Sequence, residues 1–132
     1  MGRTKLIFVI ALLVLGTVAF ALAGFRGANY TVRQVLASDP ASGPSAPRVP
    51  ALEFVVTSQD VFPARALDPI LYVGKVELRQ YRYADISNRT LVFTLFDWRK
   101  LEDDVPVYLQ YGNDKRTRTD LPNFHIGMIK SH

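Results

Sequence analysis

The sequence predicts a single N-terminal membrane helix followed by a small, mainly-β domain folded as an OB-like, partly closed antiparallel barrel. Three observations carry this. An uncharged apolar run opens the chain, short alternating runs rich in Val, Leu, Phe and Tyr fill its second half, and turn residues punctuate those runs. The 132 residues leave room for one domain at most beyond the apolar run.

The first element is that run. Leu6 to Gly24 carries no charge, and Thr17 is its only polar side chain. Nineteen helical residues span roughly 28 Å, close to the hydrocarbon thickness of a bilayer. A soluble core helix would show a polar stripe, and none is present. Ala21–Gly24 (ALAG) also fits a signal-peptidase site, but the run exceeds the usual apolar core of about 7–15 residues in a signal peptide, which favours an uncleaved anchor. Arg3 and Lys5 precede the run. By the positive-inside bias they stay cytoplasmic. The expected division is therefore residues 1–5 cytoplasmic, 6–24 transmembrane, 25–50 juxtamembrane segment and linker, and 51–132 extracytoplasmic β domain. This places a single-pass protein in the inner (cytoplasmic) membrane with its C-terminal domain in the periplasm.

Residues 29–38 (NYTVRQVLAS) place Val32, Val35 and Leu36 at helical spacing, which predicts a short helix near the membrane surface. Residues 38–50 follow with Pro40, Pro44, Pro47 and Pro50, a density that predicts an extended linker of about 40 Å reach. Then come the β-like runs: 51–58, 70–81, 89–97 and 105–112. Gly74 inside the second predicts a bulge or tight bend, and Asp85–Asn88 (DISN) predicts a turn. Leu91, Phe93 and Leu95 form one apolar face, while Val92 and Phe96 partly cover the other, as in a barrel strand buried on both sides.

Chemistry is sparse. The chain has no cysteine, which removes disulfides, zinc–thiolate sites and thiol catalysis, and it has two histidines, His125 and His132. Glu102–Asp104 reads as a solvated hairpin corner rather than a cation site. Lys115–Arg118 (KRTR), flanked by Asp114 and Asp120, reads as a solvated loop rather than a lipid or nucleic-acid patch. Asn29 and Asn88 begin Asn-x-Thr triplets, which arise often by chance. No glycine-rich phosphate loop and no nucleophile elbow is present.

The residues from Tyr30 onward resemble the CcmE family, the haem chaperones of cytochrome c maturation, which have one N-terminal membrane helix and an extracytoplasmic OB-like barrel. The similarity lies in residues 30–38 (YTVRQVLAS), in 71–97 with Gly74 and the Phe96–Asp97 ending, in 105–112 (VPVYLQYG), and in 121–127 (LPNFHIG) with Asn123 near the family's acidic position. The resemblance implies a β-barrel and, as an alternative function, haem binding. It departs from the family at the haem-attaching histidine, which a tyrosine follows four residues later. His132 has no such tyrosine, so the haem role is not carried onto it.

The expected function is a non-catalytic, single-pass accessory subunit of a larger membrane protein complex, of the electron-transport or photosynthetic kind, with no nucleic acid and no small-molecule substrate. No cofactor is expected, haem entering only under the alternative. Trp98, Tyr108, Tyr111 and Phe124 are the expected partner-interface residues, because Trp, Tyr and Arg dominate such contacts.

Overall fold

The computed structural model describes residues 25–62 and 67–131. The expected membrane segment, residues 6–24, and His132 lie outside the described residues. Among the described residues no helix is long and apolar enough to cross a membrane.

The described chain is mainly β, as the alternating runs predict. Strands β1 (Asn29–Ser38) and β2 (Arg48–Thr57) form a long antiparallel hairpin in unbroken register, from Asn29↔Thr57 to Ser38↔Arg48. The helix expected over 29–38 is thus a strand. The helical spacing of Val32, Val35 and Leu36 was one of two periods present. Tyr30 and Val32 also alternate, and it is they that are buried. A neighbouring strand that pairs over ten residues decides between the periods, and the β-branched Thr31, Val32 and Val35 suit it.

The expected linker is correspondingly absent as a spacer. Pro40 opens a 3-10 turn, Pro40–Ser42, whose first amides are capped by the Asp39 carboxylate accepting from the Ala41 N–H at 3.0 Å. Pro44 and Pro47 stay in the hairpin loop, and Pro50 lies within β2 beyond Leu52, where pairing with β6 ends. A proline there removes no donor from that ladder. Residue 51, the expected boundary, falls inside β2, and residues 29–38 pair with it as part of the same sheet.

Strand β3 (Pro69–Val73) turns back through Gly74–Lys75 into β4 (Val76–Leu78). Gly74 has φ +60°, the left-handed first position that a tight two-residue hairpin demands of glycine. The chain then crosses to the other sheet as β5 (Tyr81–Tyr83), turns at Asp85–Asn88, and runs back as β6 (Thr90–Leu95). The Asp85 carboxylate organises that turn, accepting from the Ser87 hydroxyl at 2.7 Å and the Arg89 amide at 3.3 Å. A 3-10 turn, Trp98–Lys100, leads to β7 (Val105–Tyr111), β8 (Asp114–Phe124), a further 3-10 turn and β9 (Ile129–Ser131).

These strands make a five-stranded sheet in the order β5-β6-β2-β1-β9 and a four-stranded sheet in the order β4-β3-β7-β8. All pairs are antiparallel except β1 with β9. The sheets share one core: Val32, Leu52, Phe54, Val56, Leu91 and Phe93 of one meet Leu71, Val73, Val107, Leu109, Leu121 and Phe124 of the other. No ladder closes them into a barrel. At one seam β9 occupies the edge of β1 that β8 would need, and at the other the crossing after Leu78 sets β5, not β4, against β6. Tyr30 bridges the first seam, its hydroxyl donating to the Pro122 carbonyl at 2.8 Å.

The loop expected over Lys115–Arg118 is also a strand. Along β8 the side chains alternate, with Thr117, Thr119 and Leu121 buried and Arg116, Arg118 and Asp120 exposed. Threonines at two inward positions hide the apolar signal, and their hydroxyls are satisfied locally: Thr117 Oγ1 donates to the Asp114 carbonyl and accepts from the Tyr111 amide.

Candidate functional site

The expected interface residues separate into three places. Tyr111 and Phe124 are 1% and 2% exposed. Phe124 packs on Phe54, ring centroids 5.5 Å apart, and Tyr111 lies 6.1 Å from Phe25. Both are core residues, out of reach of a partner in this fold. Tyr111 shares the parity of Val105, Val107 and Leu109, so its inward direction could have been read from the alternation.

Tyr108 stands on the outer face of the four-stranded sheet. It stacks on Tyr72 at 4.5 Å with the rings 12° from parallel, and the Arg118 guanidinium lies 4.0 Å from its centroid on the way to Asp120, 2.9 Å away. Register explains the grouping: Glu77, Tyr72, Tyr108 and Asp120 fall in one row across β4, β3, β7 and β8. Partial burial and then the neighbouring Glu77 charge raise the Tyr72 hydroxyl pKa, so Tyr72 stays neutral throughout the physiological range.

Trp98 is half-buried and packs on the core from the turn between β6 and β7, with the Arg99 guanidinium 5.3 Å from its centroid. Three clefts surround this turn, and Lys100 borders each of them. The first, about 370 Å³, runs between Gly74–Val76 and Leu101–Pro106. The second, about 510 Å³, lies between β4 and the end of β6, with Arg79, Thr94 and Phe96 in its wall. The third, about 520 Å³, separates Trp98 and Phe96 from Asp39, Val49 and Pro50 of the β1–β2 hairpin. Gly74 keeps the first cleft's rim low: a Cβ there would sit 3.2 Å from the Val105 Cβ.

The charge lining these clefts is mixed. Lys75, Arg79, Arg99 and Lys100 face Asp39, Glu77, Asp97 and Glu102. Arg79 is held by Glu77 at 2.8 Å, whereas among the described residues no carboxylate lies within ion-pair distance of Lys75 or Lys100. The corner thus offers two half-buried aromatics, Phe96 and Trp98, beside the exposed cations Arg99 and Lys100. The sequence singles out Trp98. It does not show that Arg79, Asp39 and Pro50, distant along the chain, converge on the same corner.

The remaining motifs are structural in their contacts. Asp103 Oδ1 accepts from the Ile126 amide at 2.8 Å and Asp104 Oδ1 from the Asn123 side chain at 3.4 Å, so the acidic corner ties the β6–β7 connection to the end of β8. His125 is exposed beside that tie. Glu53, on the outer face of the five-stranded sheet, bridges Arg33 at 2.6 Å and Arg82 at 3.4 Å. Among the described residues no group of three or more His, Asp or Glu side chains is placed to hold a metal ion.

Comparison with protein-family models, with curated proteins and with solved structures gave no match.

Proposed function

We propose that this protein is a membrane-anchored accessory subunit whose β domain docks on a larger membrane protein complex through the corner around Trp98 and Lys100. The observation that carries the reading is the convergence of three clefts on one turn bearing Phe96, Trp98, Arg99 and Lys100. Half-buried aromatics with adaptable cations can be fully desolvated by a complementary chain, which is what concentrates binding energy in a few residues. The anchor would hold the domain at the partner's membrane surface and raise its effective concentration there. The OB-like reading of the two-sheet fold and an inner-membrane, periplasm-facing placement belong to the same proposal.

The test is gentle detergent extraction of the full chain from its native membrane, followed by measurement of particle size and composition. Migration with a larger complex at fixed stoichiometry supports the subunit reading, and Lys100→Glu should then reduce co-purification without lowering the unfolding temperature of the free chain. Migration of the wild-type chain alone removes the reading. A Soret band on that lone chain, abolished in His125→Ala or His132→Ala, would put the haem-chaperone alternative in its place.

A further inference from the structure

The opposite end of the sandwich, where residue 25 joins it, has a different character. Five short segments meet there: 25–28, 58–62, 67–68, 84–89 and 112–113. Hydrogen bonds join 25–28, 58–62 and 84–89, and separately 67–68 and 112–113, and the Phe25 and Tyr111 rings, 6.1 Å apart, bring the two groups together. The Gln59 amide donates to the Arg26 carbonyl at 3.0 Å, the Ser58 amide to Arg89 at 3.1 Å, the Phe62 amide to Asn88 at 2.7 Å, and the Gly112 amide to Asp68 at 3.0 Å. Phe25 is packed into this end, 5.0 Å from the Phe62 ring. The apolar run of the sequence ends at Gly24, so no spacer separates it from the folded domain.

Of the five large hydrophobic side chains that stand exposed among the described residues, three sit on these loops: Ile86 at 102%, Leu67 at 48% and Val61 at 47%. Ile86 is as exposed as a side chain can be, at the tip of a turn held rigid by Asp85 and by Asn88 in the left-handed region, φ +55°. A polar residue is the usual choice at a turn tip, and it is three exposed large apolar side chains at one end, rather than Ile86 alone, that call for an explanation. The acids of this end are occupied internally. Asp60 is bound to Arg26, Asp68 accepts from the Tyr81 hydroxyl, Asp85 caps its own turn, and Asp114 holds Arg116. Arg89 and Lys115 are exposed and, among the described residues, have no carboxylate in ion-pair distance.

We infer that this end is seated on the lipid bilayer, with Ile86 inserted at the boundary of headgroups and acyl chains, Leu67 and Val61 beside it, and Arg89 and Lys115 directed to lipid phosphates. Apolar tips at an end whose acidic and basic side chains balance can seat at the interface by burial of apolar area, with the exposed Arg89 and Lys115 as the cations for headgroup contact. Direct continuity with the apolar run brings this face, and not the cleft end, to the membrane. The inference rests on the anchor proposed above.

The chain contains no cysteine, so single-cysteine variants can be labelled without background. Full-length Ile86→Cys and Ile126→Cys, each carrying an environment-sensitive fluorophore, are reconstituted in phosphatidylcholine–phosphatidylglycerol vesicles with spin-labelled lipid. Ile126 is also exposed but lies beside the cleft end. The expected result is a blue shift and several-fold stronger lipid quenching at position 86 than at 126, with Val61→Cys quenching reduced when Ile86→Asp is added. Alkaline extraction of the same vesicles tests the anchor separately. A chain retained by the vesicles but equally unquenched at both positions overturns the seating and leaves the anchor standing. A chain released by alkali overturns both.

Discussion

The two ends of this sandwich are made of comparable amounts of loop but are held together in different ways. At the end bearing Phe25, the loop hydrogen bonds run between segments: Gln59 to Arg26, Phe62 to Asn88, Gly112 to Asp68. At the cleft end most close within their own turn: Ser42 to Asp39, Lys100 to Asp97, Leu101 to Trp98, Met128 to His125. The first arrangement makes two linked groups, 25–28 with 58–62 and 84–89, and 67–68 with 112–113, which meet where Phe25 lies 6.1 Å from Tyr111. At the second, the Pro40–Ser42 and Trp98–Lys100 turns close on themselves with clefts between them, and bonds between segments are fewer: Gly74 to Pro106, and Asp103 and Asp104 to the end of β8. A cap of linked loops suits a fixed seat, while turns with fewer bonds between them suit a surface that must adapt to another protein.

The largest expected effect is at the cap. Phe62 is fully buried between Phe25 and the core, so Phe62→Ala should cost about 3–5 kcal/mol. In chemical denaturation of the full-length protein it should lower the midpoint and, in amide exchange, loosen 84–89 and 112–113 together; loosening of 58–62 alone would break the picture of linked groups. Next comes Gly112→Ala. Gly112 has φ +51°, and an added Cβ would meet the Leu67 Cβ at 3.0 Å. The strain should cost about 1–3 kcal/mol, read as a shift in thermal midpoint.

Tyr30→Phe should cost about 1 kcal/mol for the bond to the Pro122 carbonyl. This residue also has a pH signature. Burial pushes its hydroxyl pKa from 10.0 up to about 12. A raised folded pKa means that its contribution is complete below the unfolded value and is lost as pH rises through the folded one. Wild-type stability should therefore fall between about pH 10 and 12, and Tyr30→Phe should flatten that slope. The smallest effect belongs to the cleft end: Arg99→Ala, which removes a cation 5.3 Å from the Trp98 ring, should change stability by less than about 1 kcal/mol. A loss as large as that of Phe62→Ala would mean that the cleft turns are tied into the fold as tightly as the cap.

The cap has an acid signature as well. The Arg26 side chain and amide, both donating to Asp60, hold its carboxyl below the ordinary aspartate range. A lowered folded pKa gives stability that is present above the unfolded value and lost as pH falls through the folded one. Acidification through that lowered value should thus loosen the 58–62 loop, read by amide exchange.

How much of this was legible in the sequence depends on what sets each feature. Strands β6 and β7 could be read directly because Leu91–Phe93–Leu95 and Val107–Leu109 alternate without interruption, and Gly74 announced its turn. Strand β1 could not be assigned, since Tyr30–Val32 and Val32–Leu36 support two different periods and only pairing with β2 selects one. Strand β8 was hidden by threonines at core positions. Trp98 was visible as a corner aromatic, but the clefts around it depend on β1–β2, β4 and β6 arriving together, which no local pattern records. The seating face is hidden for the same reason, with Val61 and Ile86 far apart in sequence and joined by the Phe62–Asn88 bond.

The parallel pairing of β1 with β9 sets a timetable. Val32 must find Ile129, nearly a hundred residues later. At synthesis rates of about 5–20 residues per second, the edge of the first strand waits roughly 5–20 s for its cover. The β1–β2 hairpin can form early from local contacts, but its outer edge is then an open template for any extended chain nearby. During that interval the nascent domain is at its most vulnerable to mispairing, and whatever shields that strand edge would decide how much of it matures.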